Sequence, residues 1–213
     1  MRSAMALIIT ATVGCTSTEE RQNQPWATDP VAQNRLSVSA LEDTQGMTFH
    51  ELVDHVRSFI HDNSRHPVEP SPYGTQDVEI YAEAMNAFVE DGGVAPILYC
   101  GHRARLLMSV LHRAGVQSRL VNLLTNGAAP GTVEGHVFLE TLSPDSGLWE
   151  IVDADFDLFY SDGHKRLSLR DIIALPTTNY GPCRADVCGW TLSASTPDEF
   201  TVDYMYSRNF YVV

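Results

Sequence analysis

The sequence predicts an α+β domain, with helices gathered in its N-terminal half and mainly antiparallel strands after them. Three observations carry that expectation. Apolar residues recur at helical spacing in successive segments between Thr48 and Ala114. From Val116 onward the apolar period becomes two. The strand-like segments are separated by short stretches rich in Gly, Pro, Asp and Ser, which turn the chain back on itself.

The first helix is expected over 48–62, TFHELVDHVRSFIHD, where Leu52, Val53, Val56, Phe59 and Ile60 fall at helical spacing. Thr48 and Glu51 have the spacing of a capping box, in which each side chain satisfies the other residue's backbone N–H. HPVEPSPYGT then interrupts the chain with prolines. A second helix is expected over 77–90, ended by Asp91-Gly92-Gly93. The third follows Pro96-Ile97-Leu98-Tyr99. In CGHRARLLMSVLHRAG, Ala104, Leu107, Met108, Leu111 and Ala114 mark one apolar face and Gly115 supplies a stop. Cys100 stands at the N-terminal edge of this helix.

VQSRLVNLL (116–124) then reads as a strand and TNGAAPGTVEG as a loop. HVFLETL (136–142) and LWEIVDADF (148–156) read as two strands joined by SPDSG. A short helix is expected over 168–175 and a last strand over 200–213. A hairpin turning at Pro144-Asp145 sets His136 directly across from Asp153, on one sheet face with Cβ atoms about 5 Å apart.

At 213 residues and 44% hydrophobic, the chain is long enough for one full core plus a tail. The net charge is −13 and no Lys/Arg-rich run is present, so nucleic acid is excluded as a partner. Met1-Arg2 precedes an apolar stretch from Ala4 to Val13, well short of the roughly 20 residues that cross a bilayer but suited to an export signal. Small residues followed by Cys15 resemble a bacterial lipoprotein signal, which makes Cys15 the expected lipidated residue. Ordinary secretion and a cytosolic chain with an apolar start are the other readings. The expected organisation is a signal or lipoprotein-type segment over 1–15, a polar flexible tether over 16–44 and a domain over 45–213. Contact with a membrane is expected only through a lipid at Cys15.

Cys183 and Cys188 sit in GPCRADVCGW, a Gly/Pro-bounded loop, and in an oxidising compartment would close a short disulfide. A zinc site would need a second Cys/His pair, and a redox pair would need C-x-x-C spacing; neither is present. If Cys15 is lipidated and Cys183 pairs with Cys188, Cys100 is the thiol without another task.

Alone, Cys100 reads as a buried, inert thiol. A helix N-terminus, however, favours a thiolate, and a nearby imidazolium favours it further. His136 can supply that imidazolium and Asp153 can fix its ring and tautomer, completing a Cys-His-Asp relay for attack on an acyl carbon. The backbone N–H of Cys100 is the natural oxyanion donor. Asp155 and Asp157 share the strand parity of Asp153 and rival it. Such a relay needs no metal and no cofactor, and none is expected. Asp153-Ala-Asp155-Phe-Asp157 fails as an EF-hand loop, since Leu158 and His164 stand where Gly and Glu are required. His55, His61 and His66 suggest a metal cluster, but His55 and His61 do not share a helical face and His66 lies beyond the helix, so they read as surface residues.

The order of these elements resembles the core of the transglutaminase-like superfamily. Cys100 at a helix start is followed by RAGVQSRLV, then Gly135-His136-Val137-Phe138-Leu139-Glu140, then Trp149-Glu150-Ile151-Val152-Asp153, over about a quarter of the chain. The resemblance implies a papain-like α+β fold with the Cys helix packed on an antiparallel sheet. It also implies Cys100 as nucleophile, His136 as general base and acid, and Asp153 as orienting carboxylate, with Arg119 and Trp149 in structural roles. Leu98 departs from the pattern, standing where many relatives keep glycine, and Tyr99 is a candidate for lining the substrate pocket. The activities implied are acyl transfer or amide hydrolysis on a peptide, protein or glycan-peptide donor outside the cytoplasm. A non-catalytic binding domain tethered to the membrane is the alternative.

Overall fold

The computed structural model describes residues 44, 46–66, 78–124, 135–192 and 210–212. The 1–15 segment with Cys15, and all but the last residue of the 16–44 tether, lie outside the described residues.

Helix α1 spans Phe49–Asp62 and starts where its capping box predicts. The Glu51 N–H donates to Thr48 Oγ1, and the Thr48 N–H donates to Glu51 Oε2 at 2.8 Å. Helix α2 spans Val78–Asp91 and α3 spans Cys100–Arg113, both within a residue or two of expectation. Their buried faces, with Val53, Val56 and Ile60 from α1, Tyr81 and Met85 from α2, and Leu107 and Leu111 from α3, form an apolar layer. Each such side chain taken from water contributes about 1.5–3 kcal/mol.

The main sheet has the order β3-β2-β1-β7, with β1 at Ser118–Leu124, β2 at Gly135–Leu142, β3 at Trp149–Val152 and β7 at Phe210–Val212. All its pairings are antiparallel. Leu120, Leu139 and Val152 form a row across one face. The other face contributes Val121, Leu123, Phe138 and Ile151 to a cluster with Tyr160, Leu169 and Ile172. Both faces are therefore covered, and α3 packs against β1 and β2. The expected α+β arrangement, with the Cys100 helix on an antiparallel sheet, is observed.

Three expectations are corrected. The strand expected over 148–156 ends at Val152, because Asp153–Asp157 turns the chain and Leu158 pairs back with Asp153. The hairpin register places Leu139 against Val152, so its continuation would set residue 155, not Asp153, opposite His136. A second sheet, unforeseen in sequence, joins β4 (Phe159–Ser161), β5 (Gly181–Arg184) and β6 (Val187–Cys188). The short helix α4 spans Leu169–Ala174 behind a Ser168–Asp171 capping box. Of the strand expected over 200–213, residues 210–212 are observed and the others lie outside the described residues.

The turn after β3 is anchored by arginines. Arg57, on the apolar stripe of α1 and 1% exposed, donates from Nε to Asp157 Oδ1 at 2.8 Å and from Nη1 to Asp54 Oδ1 at 2.7 Å. Arg184 reaches Asp157 Oδ2 at 3.0 Å. Asp157 itself has φ of 56°, a left-handed conformation that Asp tolerates better than most residues. Removing one partner from such a buried network leaves charge uncompensated. Arg57→Met is expected to lower unfolding free energy by about 3 kcal/mol, the low end of the range because Arg184 still holds Asp157. Urea denaturation checks this.

Candidate active site

Cys100 is the first residue of α3, with Tyr99 as N-cap in extended conformation. The Tyr99 N–H donates to His102 Nδ1 at 3.3 Å, and the Arg103 N–H donates to Tyr99 O, so the helix is closed one turn below the thiol. The first N–H groups of a helix have no intrahelical acceptor, which makes those of Cys100 and its successors available to an oxyanion. Leu98 is fully buried and its N–H pairs with Arg65 O, so its side chain fills the core. Tyr99 is half-buried, its ring 5.9 Å from that of His66 and 5.6 Å from that of His102.

His136 occupies the start of β2 and is 6% exposed. Its Nε2 lies 2.6 Å from Asp153 Oδ2, and Cys100 lies within its electrostatic reach. Because Nε2 is taken by the carboxylate, the ring nitrogen left to face the thiol is Nδ1. Phe156 packs on the imidazole with ring centroids 4.9 Å apart. The structure thus brings Cys100, His136 and Asp153 together.

Three aspartates share the turn, and their partners distinguish them. Asp157 is held by Arg57 and Arg184, and Asp155 Oδ1 accepts from Arg103 Nη1 at 3.1 Å. Among the described residues no arginine hydrogen-bonds or ion-pairs with Asp153, although Arg103 lies within electrostatic reach of it. Its Oδ1 accepts from the N–H groups of Asp155 (2.9 Å) and Phe156 (3.3 Å), which leaves Oδ2 for His136. Asp153 therefore closes its own turn with one oxygen and orients the imidazole with the other. Asp155 and Asp157 are thus both paired with cationic side chains. Among the described residues no group of three or more His, Cys, Asp or Glu is arranged to hold a metal ion. Of the histidines considered for metal binding, His61 Nδ1 lies 3.0 Å from Asp155 O and His66 Nε2 lies 3.6 Å from Asp155 Oδ2.

Burial opposes a charge on His136, but the carboxylate of Asp153 and the adjacent Cys100 outweigh it and hold the imidazolium well above the usual histidine range. The folded-state value then exceeds the unfolded one of about 6.5. Stability from this charge is whole below about pH 6.5 and is lost as pH rises through the folded-state value. The melting-temperature gap between wild type and His136→Gln is therefore expected to narrow from neutral toward alkaline pH. Thermal unfolding over that range measures it, and a constant gap would contradict the assignment.

Two supporting features escaped the sequence reading. Arg103, 2% exposed, joins α3 to the aspartate turn and to Ser64. Its sequence signal is a charged residue on the same stripe as Leu107 and Leu111. Glu140, 1% exposed, accepts from Arg119 and from the Leu169 N–H at the start of α4, while Arg119 stacks on Trp149 at 4.1 Å. Arg119 and Trp149 thereby brace the sheet against α4.

Cys183 and Cys188 are joined by a disulfide across the β5–β6 hairpin. Cys100 is the free cysteine among the described residues. No helix among them is long and apolar enough to cross a membrane.

No protein-family model and no curated protein matches the chain. Among solved structures, the periplasmic domain of TgpA from Pseudomonas aeruginosa is similar at 21% identity with a TM-score of 0.34, the likeness covering 61% of this chain and 40% of that one. The chain thus aligns with well under two thirds of that structure.

Proposed function

We propose that this protein is a thiol enzyme that transfers or hydrolyses acyl groups through Cys100, His136 and Asp153. One observation carries the reading: a thiol at a helix N-terminus lies within electrostatic reach of a buried imidazole whose Nε2 is 2.6 Å from a buried carboxylate. Cys100 Sγ, as thiolate, attacks the carbonyl carbon of an amide, forming a C–S bond. The oxyanion is held by N–H groups at the start of α3. His136 delivers its proton to the departing nitrogen as the C–N bond breaks, leaving a thioester on Cys100. Water or an amine then attacks, His136 takes its proton, and the C–S bond breaks to restore the thiolate.

The donor is a peptide, protein or glycan-peptide amide outside the cytoplasm. The Cys183–Cys188 disulfide supports that compartment, because such bonds persist where the surroundings are oxidising. Tyr99, beside the nucleophile, lines the acyl pocket. Lipidation at Cys15 would hold the enzyme at a membrane surface.

The test is intact-mass analysis of wild type and Cys100→Ser after incubation with glutamine-containing peptides and with cell-wall peptide fragments. An adduct on wild type alone, with release of ammonia or amine, is the expected result. Absence of adduct and of release for every donor, with Cys100 unreactive to an alkylating probe, would leave a non-catalytic binding domain.

A further inference from the structure

Arg103 lies three residues after Cys100 on α3, so it sits one turn below the nucleophile. Its donors are distributed over two other segments. Nη1 donates to Asp155 O at 2.9 Å and Asp155 Oδ1 at 3.1 Å, Nε to Ser64 Oγ at 3.0 Å, and Nη2 to Ser64 O at 2.9 Å. Three parts of the chain, α3, the segment just after α1 and the aspartate turn, therefore meet on one guanidinium. Lysine could keep the charge but not this planar fork.

The charge matters as much as the fork. Asp153 and Asp155 are both buried and two residues apart, and Asp155 feels the charge of Asp153. Both also lie within electrostatic reach of His136. Burial first, then the neighbouring Asp153, drives the Asp155 carboxyl up, and His136, His66 and Arg103 oppose this. The groups around the relay are accordingly Cys100 and Arg103 from α3, Asp153 and Asp155 from the turn, and His66 beyond α1. Tyr160 of β4 also feels Asp153. Arg103 is the buried cation among them whose charge does not depend on pH in the working range.

We infer that Arg103 is a positioning residue for the relay, which neutralises Asp155 and ties it away from His136 so that Asp153 alone orients the imidazole. This rests on the reading of Cys100 as nucleophile. Without Arg103, only His136 and His66 would oppose the rise of the Asp155 carboxyl, and above that raised value Asp155 would stand as a second anion beside the Cys100–His136 pair. Forming a thiolate there would become harder, and the imidazole would have two carboxylates to choose between.

The test is the pH profile of iodoacetamide alkylation of Cys100 in the full chain, with thermal unfolding in parallel. In Arg103→Met the acid limb is expected to move to higher pH by about one unit, slowing alkylation about tenfold on that limb. Arg103→Lys keeps the charge, so its limb is expected to stay near that of wild type while its melting temperature falls. In Arg103→Met/Asp155→Asn the second anion is gone, and the limb is expected to return to the wild-type position. A folded Arg103→Met with an unmoved limb would overturn the inference and leave Arg103 a structural residue only. A double variant as displaced as the single one would overturn it too, since Arg103 would then not act through Asp155. If Arg103→Met fails to fold, Arg103→Gln removes the same charge with a polar side chain and carries the same comparison, a folded Arg103→Gln with an unmoved limb overturning the inference. Wild type and His136→Ala in the same series judge the nucleophile reading separately: identical profiles there would reject the relay itself.

Discussion

Cys100→Ala is expected to abolish the proposed acyl transfer, with residual activity about 10³-fold or more below wild type. Stability should stay within about 1 kcal/mol, because the thiol is half-buried and its loss opens no core cavity. Cys100→Ser is expected to be nearly as inactive. It preserves shape and a hydrogen-bonding group, but a hydroxyl paired with His136 yields far less anion at neutral pH than a thiol does. Release of ammonia or amine from a peptide donor measures both variants. Turnover surviving in Cys100→Ala would remove the nucleophile from Cys100 altogether.

Asp153→Asn has the second-largest expected effect, and it acts through the tautomer of His136. The asparagine oxygen can still accept from the Asp155 and Phe156 N–H groups, so the turn is kept. Its NH₂ group would then face His136 Nε2, which must become an acceptor, and the ring proton moves to Nδ1 on the side of Cys100. That nitrogen can no longer take a proton from the thiol or from water. Turnover is expected to fall about 10⁴-fold, the size seen when a triad carboxylate becomes an amide. Alkylation of Cys100 at neutral pH should drop in parallel. Near-wild-type activity in a folded Asp153→Asn would show that the carboxylate has no orienting role, and Asp155→Asn would be the next variant to measure.

The contact of His136 with Asp153 is legible in the sequence although the strand register is two residues away from the expected one. Side chains alternate along a strand, so a two-residue error keeps the same face. His136 and Asp153 thus remain within reach as diagonal neighbours, the separation being closed by the turn at Asp153–Asp157. Helix boundaries were legible for a different reason. Thr48 with Glu51 and Gly115 after α3 act within one turn of chain, so spacing alone reports them. The second sheet was not legible: its strands hold only two to four residues, too few for a period, and one carries Pro182.

The amino-acid sequence by itself determined the α+β class, the position of Cys100 at a helix N-terminus and the face shared by His136 and Asp153. All three depend on local periodicity and capping. Tertiary structure alone decided which aspartate serves His136, because that choice is made by cations distant along the chain. Arg57 meets Asp157 across 100 residues and Arg103 meets Asp155 across 52. A buried carboxylate must be paired or pay its desolvation, and which cation reaches it depends on how α1 and α3 pack against the turn. No spacing in the sequence records that packing.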